Sequence, residues 1–365
     1  MKIVIKLGTS TLIDKDGSLN KKYISELALS LDELQKENHK FLIVSSGAIG
    51  AGCNRLNINV KLKRLREKQA FAAVGQPLVI NAYSDAFAEY GKTIAQILLT
   101  RDDFDKRDKY LNMRNTLNTL IRKNVVPIIN ENDSVAVEEI NFGDNDTLSA
   151  LVSAATNADK LIIFTDVDGI YDAYPSKNSV IPRIEKITEK IEKLATSSSS
   201  SGKGTGGMKT KIIAAKIAVA SGVDTIITNG SKLNLLRDIV FSGDQIGTVI
   251  KARQQSFEEK KSWIAFSKKV KGTIFVNAKA MEALVSKGKS LLAVGITKVS
   301  GNFERGDSVS VSNSEDNNKD FARGLTNYDN EVIEKIKGKK VFEIEKIIDA
   351  TDDEIIHRDN LAILW

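Results

Sequence analysis

Residues 130–149 concentrate the side chains that could do chemistry. Asn130-Glu131-Asn132-Asp133 closes an apolar run at 125–129, and Gly143-Asp144-Asn145-Asp146-Thr147-Leu148-Ser149 opens a helical pattern that continues to Ala158. One short polar side chain is enough to cap a helix start. Asp133, Asp144, Asn145 and Asp146 together exceed that need, so the stretch reads as a polar floor for a small charged substrate. Positive charge comes from elsewhere. Lys6 sits inside an apolar strand just before Gly8-Thr9-Ser10, a combination that suits a phosphate nest beside a point charge. The competing reading is a lysine at a strand end with its head in water. Ser45-Ser46-Gly47-Ala48 follows a second apolar run. Gly47 lets the backbone approach a ligand closely, and free N–H groups there suit an anion; the competing reading is a plain strand-to-helix turn.

Gly204-Thr205-Gly206-Gly207-Met208-Lys209-Thr210-Lys211 is a glycine loop that opens a helix and carries lysines. That composition suits a cover over nucleotide phosphates, with a flexible linker as the alternative. Residues 202–207 formally match GxGxxG, but a serine run precedes them instead of a strand, so the dinucleotide context fails. Met208 separates the glycines from Lys209, which excludes a Walker A loop.

These loops need strands to hold them. Continuous apolar runs place strands at 2–7, 41–44, 93–99, 125–129, 160–165 and 224–230. Helical spacing marks 22–36, 64–75, 78–90, 107–123, 148–158 and 208–221. Strands that alternate with helices and are apolar throughout predict an α/β fold, a mainly parallel sheet sandwiched by helices. Ligands of such sheets bind outside the carboxyl ends of the strands. Four polar or glycine-rich loops follow the strands ending near Leu7, Val44, Ile129 and Phe164, and their convergence is a stronger signal than any one of them. The rhythm changes after residue 252. Short strand candidates at 272–276, 294–299 and 308–311, with short helices at 279–287 and 332–336, predict a small mostly-β second domain. The expected division is 1–252 catalytic, 253–269 linker and 270–365 second domain.

The 365 residues are 42% hydrophobic and 27% charged, as in ordinary globular proteins, and the length favours two domains. No apolar run approaches the roughly 18 residues of a membrane span. The N-terminus reads as a strand and not as a secretory signal, and Cys53 is the single cysteine, so a disulfide framework is excluded and a cytoplasmic location is expected. The net charge of +6 does not separate a lysine-rich surface from an anionic substrate or nucleic acid. His357-Arg358-Asp359 imitates a kinase catalytic loop without that family's other motifs and reads as structural. His39 and Cys53 have no triad context, and no spacing resembles a zinc site.

Taken together, Ile3-Val4-Ile5-Lys6-Leu7-Gly8-Thr9-Ser10, Val44-Ser45-Ser46-Gly47-Ala48-Ile49, Pro127-Ile128-Ile129-Asn130-Glu131-Asn132-Asp133, Phe142-Gly143-Asp144-Asn145-Asp146 and the 204–211 loop closely resemble the glutamate 5-kinases of the amino acid kinase family. The second domain resembles the PUA domain that many of them carry, through Gly295-Ile296 and the segment 301–307. The resemblance implies ATP-dependent phosphorylation of the γ-carboxylate of L-glutamate, the first step of proline synthesis, with Mg²⁺ bridging the ATP phosphates, feedback inhibition by proline and a homo-oligomeric state. It implies that Lys6 and Lys211 contact ATP phosphates, with Asp146 organising the two lysines. Ser46, Asp133 and Asn145, with Gly47 beside them, hold glutamate. Gly8, Thr165, Asp166 and residues Thr205, Gly206, Gly207, Met208, Lys209, Thr210 and Lys211 line the nucleotide site. No direct protein ligand to a metal is assigned. The rival readings are another amino acid kinase, acting on aspartate, acetylglutamate or uridylate, and an RNA-binding protein. RNA is not expected, because the second domain lacks a basic run with interleaved aromatics and carries Glu315, Asp316 and Asp320.

Overall fold

The computed structural model describes residues 1–14, 16–58, 64–136, 145–172, 179–197, 207–241, 246–252, 261, 264–265, 268–314, 320–344, 347–348 and 354–364. The chain forms two compact units, Met1–Ser256 and Phe257–Trp365. Most of the expected linker at 253–269 lies outside the described residues.

The first unit carries one eight-stranded sheet: β1 Lys2–Leu7, β2 Lys40–Ser45, β3 Ile94–Leu99, β4 Val126–Glu131, β5 Lys160–Thr165, β6 Arg183–Ile184, β7 Asp224–Asn229 and β8 Thr248–Ile250. Its helices are α1 Thr9–Leu12, α2 Lys21–Lys36, α3 Ala48–Arg55, α4 Leu65–Ala88, α5 Arg101–Asp105, α6 Arg107–Arg122, α7 Asn145–Thr156, α8 Glu189–Ser197, α9 Met208–Ala220 and α10 Leu236–Phe241. The strand order is β3-β4-β2-β1-β5-β7-β8-β6. Every pairing is parallel except β7 with β8. Strands β1, β2 and β5 are buried at every position except the first, which explains why they read as unbroken apolar runs. Edge strand β3 instead alternates in exposure.

This order places a switch point at β1. The chain before residue 132 builds β2, β4 and β3 on one side of it, and the chain after residue 159 builds β5, β7, β8 and β6 on the other. Helix α7 makes the crossing, and every residue from Leu148 to Thr156 is buried. A helix packed on all sides carries no polar stripe; its small residues, Ala150, Ser153, Ala154 and Ala155, let it fit between the sheet and α9.

Two expectations need correction. The helical segments 64–75 and 78–90 are one helix, Leu65–Ala88, with Pro77 inside it. A proline interior to a helix removes one backbone bond and crowds the preceding turn. Here a buried stripe runs straight across it, Ala72, Gly75, Gln76, Val79, Ala82, Tyr83, Ala86 and Phe87, so burial outweighs the local cost. Contact with α3 reinforces the stripe: a Cβ on Gly52 would lie 1.9 Å from the Phe71 carbonyl oxygen, and one on Gly75 1.8 Å from that of Ala48. The two helices meet backbone to backbone, where only glycine fits. The second correction concerns residues 8–11, expected as loop, of which 9–11 form part of the one-turn helix α1.

The second unit holds a five-stranded sheet of Val270–Val276, Ile296–Gly301, Ser308–Asn313, Asp320–Leu325 and Leu361–Ile363. The strand expected at 294–299 begins at Ile296, after a single 3₁₀ turn Ala293–Gly295. Helices Ala278–Lys287 and Asn330–Ile336 begin with Asn277 and Asp329 as side-chain caps. A separate core of Ile274, Val276, Phe303, Val309, Val311, Phe321 and Ile356 fills this unit.

Candidate active site

The ends of β1, β2, β4 and β5 lie around the switch point, and the site grows from them. Lys6, one residue before the end of β1, is 4% exposed. Its neighbours in β2 and β5 are apolar, so its ammonium has one exit, upward past Gly8. A Cβ on Gly8 would lie 3.6 Å from Lys6 Nζ, so the nitrogen sits directly beneath that turn. Asp146, in the first turn of α7, has no exposure at all. Lys6 Nζ lies 2.6 Å from Asp146 Oδ1, and Lys211 Nζ, from the first turn of α9, lies 3.1 Å from Oδ2. The Thr210 hydroxyl is 2.9 Å from the same Oδ2. A buried ion cluster contributes little to stability, because desolvation offsets the Coulomb gain. Its sense is chemical: it holds two cations in fixed positions at the strand ends.

Helix α9 adds donors to the same point. Gly207 precedes it in extended conformation with no side-chain cap on the first turn, and no atom lies within 4 Å of a Cβ built there. Uncapped N–H groups at a helix start suit phosphate. Met208 and Lys209 occupy this same turn. Thr205 and Gly206 lie outside the described residues. Thr165 and Asp166 close β5, the neighbour of β1, and the Thr165 hydroxyl donates to Asp166 Oδ1 at 3.1 Å.

On the other side of β1 the site changes character. Gly47 starts α3 with φ of 100°, a left-handed conformation that favours glycine. It turns the chain so that Ser46 faces α7. Asn145 Nδ2 donates to Ser46 Oγ at 2.8 Å, to the Ser45 carbonyl at 3.3 Å and to Asn130 Oδ1 at 2.9 Å. Asn130 Nδ2 continues the chain to Gln76 Oε1 at 3.0 Å. Below it, the Ser45 hydroxyl meets the fully buried Tyr83 hydroxyl at 3.0 Å. Asp133 lies just past β4, half-buried and without an ion pair or hydrogen bond among the described residues. Burial alone pushes its carboxyl up to about 6, because a charge partly removed from water is disfavoured unless a cation joins it.

The structure thus brings Lys6, Asp146, Thr210 and Lys211 into one contact cluster and joins Ser46 to Asn145 directly. The two groups are adjacent through the Asn145–Asp146 peptide. Asp144, Gly143 and the rest of 137–144 lie outside the described residues. Sequence reasoning missed Gln76 and Tyr83 and gave Asn130 no contact of its own. The signal for Gln76 was present: a polar side chain on an otherwise apolar stripe at helical spacing. Splitting the helix at 75 and 78 left it in the gap.

The sequence model of the Amino acid kinase family matches residues 1–229, and that of the PUA domain matches residues 272–348. The chain belongs to the amino acid kinase family. More particularly, it is 47% identical to the glutamate 5-kinase of Caldanaerobacter subterraneus subsp. tengcongensis, an alignment covering 100% of this chain and 98% of that one. It is 43% identical to the glutamate 5-kinase of Geobacter sulfurreducens over 100% and 97%. Among solved structures, carbamate kinase from Giardia lamblia bound to AMP-PNP superposes with a TM-score of 0.51 at 20% identity, covering 69% of this chain and 98% of that one; that likeness concerns the fold. Among the described residues no helix is long and apolar enough to cross a membrane.

Proposed function

We propose that this protein transfers the γ-phosphoryl group of ATP to the γ-carboxylate of L-glutamate, giving L-glutamyl 5-phosphate for proline synthesis, and that proline inhibits it. The observation that carries the reading is Asp146 held between Lys6 and Lys211, one residue from the Asn145–Ser46 contact. Full-length similarity to glutamate 5-kinases supports the choice of glutamate.

The chemistry asks for little beyond placement. A γ-carboxylate is ionised at pH 7, so the nucleophile needs no strong base. The barrier lies in bringing two anions together and in the charge that spreads over the transferring phosphoryl. Lys6 and Lys211 neutralise that charge, and Asp146 keeps them apart and aimed. The N–H groups at the start of α9 add to the phosphate cradle, with Gly8, Thr165, Asp166, Gly207, Met208 and Lys209 as its remaining walls. Asp133 and Asn145 take the substrate ammonium, while Ser46 and the Gly47 turn take its α-carboxylate. Asp146 is engaged by two ammoniums and a hydroxyl, and among the described residues no three His, Cys, Asp or Glu gather as metal ligands. This donor set fits Mg²⁺ that arrives on ATP phosphates and keeps most of its waters. When bound, the ion supplies further neutralisation of phosphate charge.

The test is ATP-dependent formation of γ-glutamyl hydroxamate, run with and without proline. A panel of aspartate, N-acetylglutamate and uridylate accompanies it. Turnover of a panel member with none of glutamate refutes the substrate, and full activity at millimolar proline refutes the inhibition. A homo-oligomeric state belongs to the same proposal and is read by sedimentation velocity.

A further inference from the structure

A backbone N–H can only donate, and one such group sets the polarity of the whole buried amide chain. The Glu131 N–H lies 2.9 Å from an Asn130 side-chain atom, which must therefore be the carbonyl Oδ1. The other atom of that amide is Nδ2, so its partner 3.0 Å away on Gln76 must accept and is Oε1. Asn145 approaches Asn130 Oδ1 at 2.9 Å and so presents Nδ2 there. Both hydrogens of that nitrogen are consumed by Asn130, Ser46 and the Ser45 carbonyl. What remains on Asn145 is Oδ1, a buried acceptor with no partner among the described residues. Ser46 Oγ already accepts from Asn145, so its own hydrogen is available to donate.

We propose that Gln76 is the specificity-determining positioning residue of the amino-acid pocket. By accepting from Asn130 Nδ2 it pairs the donor that the Glu131 contact leaves over, and so locks the polarity in which Asn145 presents an acceptor; an acceptor selects a substrate that carries an α-ammonium. Gln76 is 9% exposed and reaches Asn130 from the buried stripe of α4. Without its oxygen, Asn130 Nδ2 is a buried donor with no acceptor. The Asn130 amide then shifts against its Glu131 and Asn145 contacts to find one, and the geometry that orients Asn145 loosens. The cost of a buried unpaired donor drives that shift. The inference rests on the reading that Asn145 and Ser46 face glutamate.

The experiment compares L-glutamate with glutarate, which keeps both carboxylates and lacks the amine, by ATP-coupled ADP release. Three proteins are assayed at full length: wild type, Gln76→Met and Gln76→Glu. Wild type prefers glutamate in kcat/KM by on the order of 10³, since a site built to pair a polar group rejects the analogue without it. Gln76→Met narrows that ratio roughly tenfold through a higher glutamate KM, with the KM for ATP held within about twofold. Gln76→Glu keeps an acceptor at the same place and retains the ratio within about threefold. A wild-type ratio in Gln76→Met, or an equal rise in both KM values, overturns the assignment. So does loss of discrimination in Gln76→Glu, whether or not Gln76→Met is stable. A wild-type protein that does not distinguish the two substrates removes the reading of the pocket itself, and no variant is needed to see that.

Discussion

Replacing Asp133 by Asn is expected to weaken glutamate binding and, at neutral pH, to stabilise the fold. Burial raises the Asp133 carboxyl from 3.8 to about 6. Between those values the native chain holds a proton that the unfolded chain has released. Stability therefore falls as pH rises from about 4 to about 6, and the cost stays constant above that. A shift of about two pH units corresponds to about 3 kcal/mol at 1.36 kcal/mol per unit. The pocket is open to water on one side, which screens part of this, so about 1–2 kcal/mol is expected from removing the charge. For a unit of this size that is a Tm increase of about 2–6 °C at pH 7.5. The gain should shrink to about half at pH 5, because there the native carboxyl is already mostly neutral. The substrate ammonium prefers the ionised carboxylate, so the same substitution should raise glutamate KM roughly 10- to 100-fold. In the wild type, glutamate KM should rise below pH about 6, and the variant should lose that dependence. Thermal unfolding at pH 7.5 and pH 5, with initial rates across the same range, reads all three. A variant less stable than wild type at pH 7.5, a gain that does not change with pH, or an unaltered glutamate KM refutes the reasoning.

Lys6→Ala and Lys211→Ala should each lower kcat roughly 10²- to 10³-fold, the scale of losing one preorganised charge; wild-type turnover in both would dismiss the lysine pair. Neither should cost the roughly 3–5 kcal/mol of a broken buried pair, because Asp146 keeps the other ammonium and the Thr210 hydroxyl; urea unfolding measures this. Gly52→Ala should destabilise the first unit by about 3 kcal/mol, since its Cβ would lie 1.9 Å from the Phe71 carbonyl and α3 and α4 must part to admit it; a stability within about 0.5 kcal/mol of wild type would contradict the close contact. Ser46→Ala should raise glutamate KM roughly tenfold with little change in the KM for ATP, and equal effects on both would move Ser46 out of the amino-acid pocket.

How far the sequence reaches depends on whether a signal is local. Strands β1, β2, β4, β5 and β7 were readable because burial on both faces leaves an unbroken apolar run. The polar loops after them were readable because residues such as Asp133, Asn145 and Asp146 exceed any local structural need. Helix α4 was misread at Pro77, where a local rule about proline competes with a packing stripe visible only over the full 24 residues. The three-residue strand Leu361–Ile363 escaped notice because it is fixed by pairing with Ala322–Gly324, far away in sequence, and Asp320–Leu325 escaped it because Arg323 and Gly324 break its apolar run.

The sequence by itself determined the two-unit organisation, the α/β class of the first unit, and the polar and charged residue types gathered at the candidate site. Only tertiary structure decided how those residues divide the work. Lys6 and Lys211 are 205 positions apart, and their meeting on Asp146 depends on β1 standing at the switch point with α7 crossing beneath it. The orientation of the Asn145 amide depends on Asn130 and Gln76, 15 and 69 positions away. Side-chain chemistry is written residue by residue. Distance and polarity between side chains are properties of the folded sheet, because a hydrogen bond or an ion pair acts over about 3 Å, which sequence spacing does not encode.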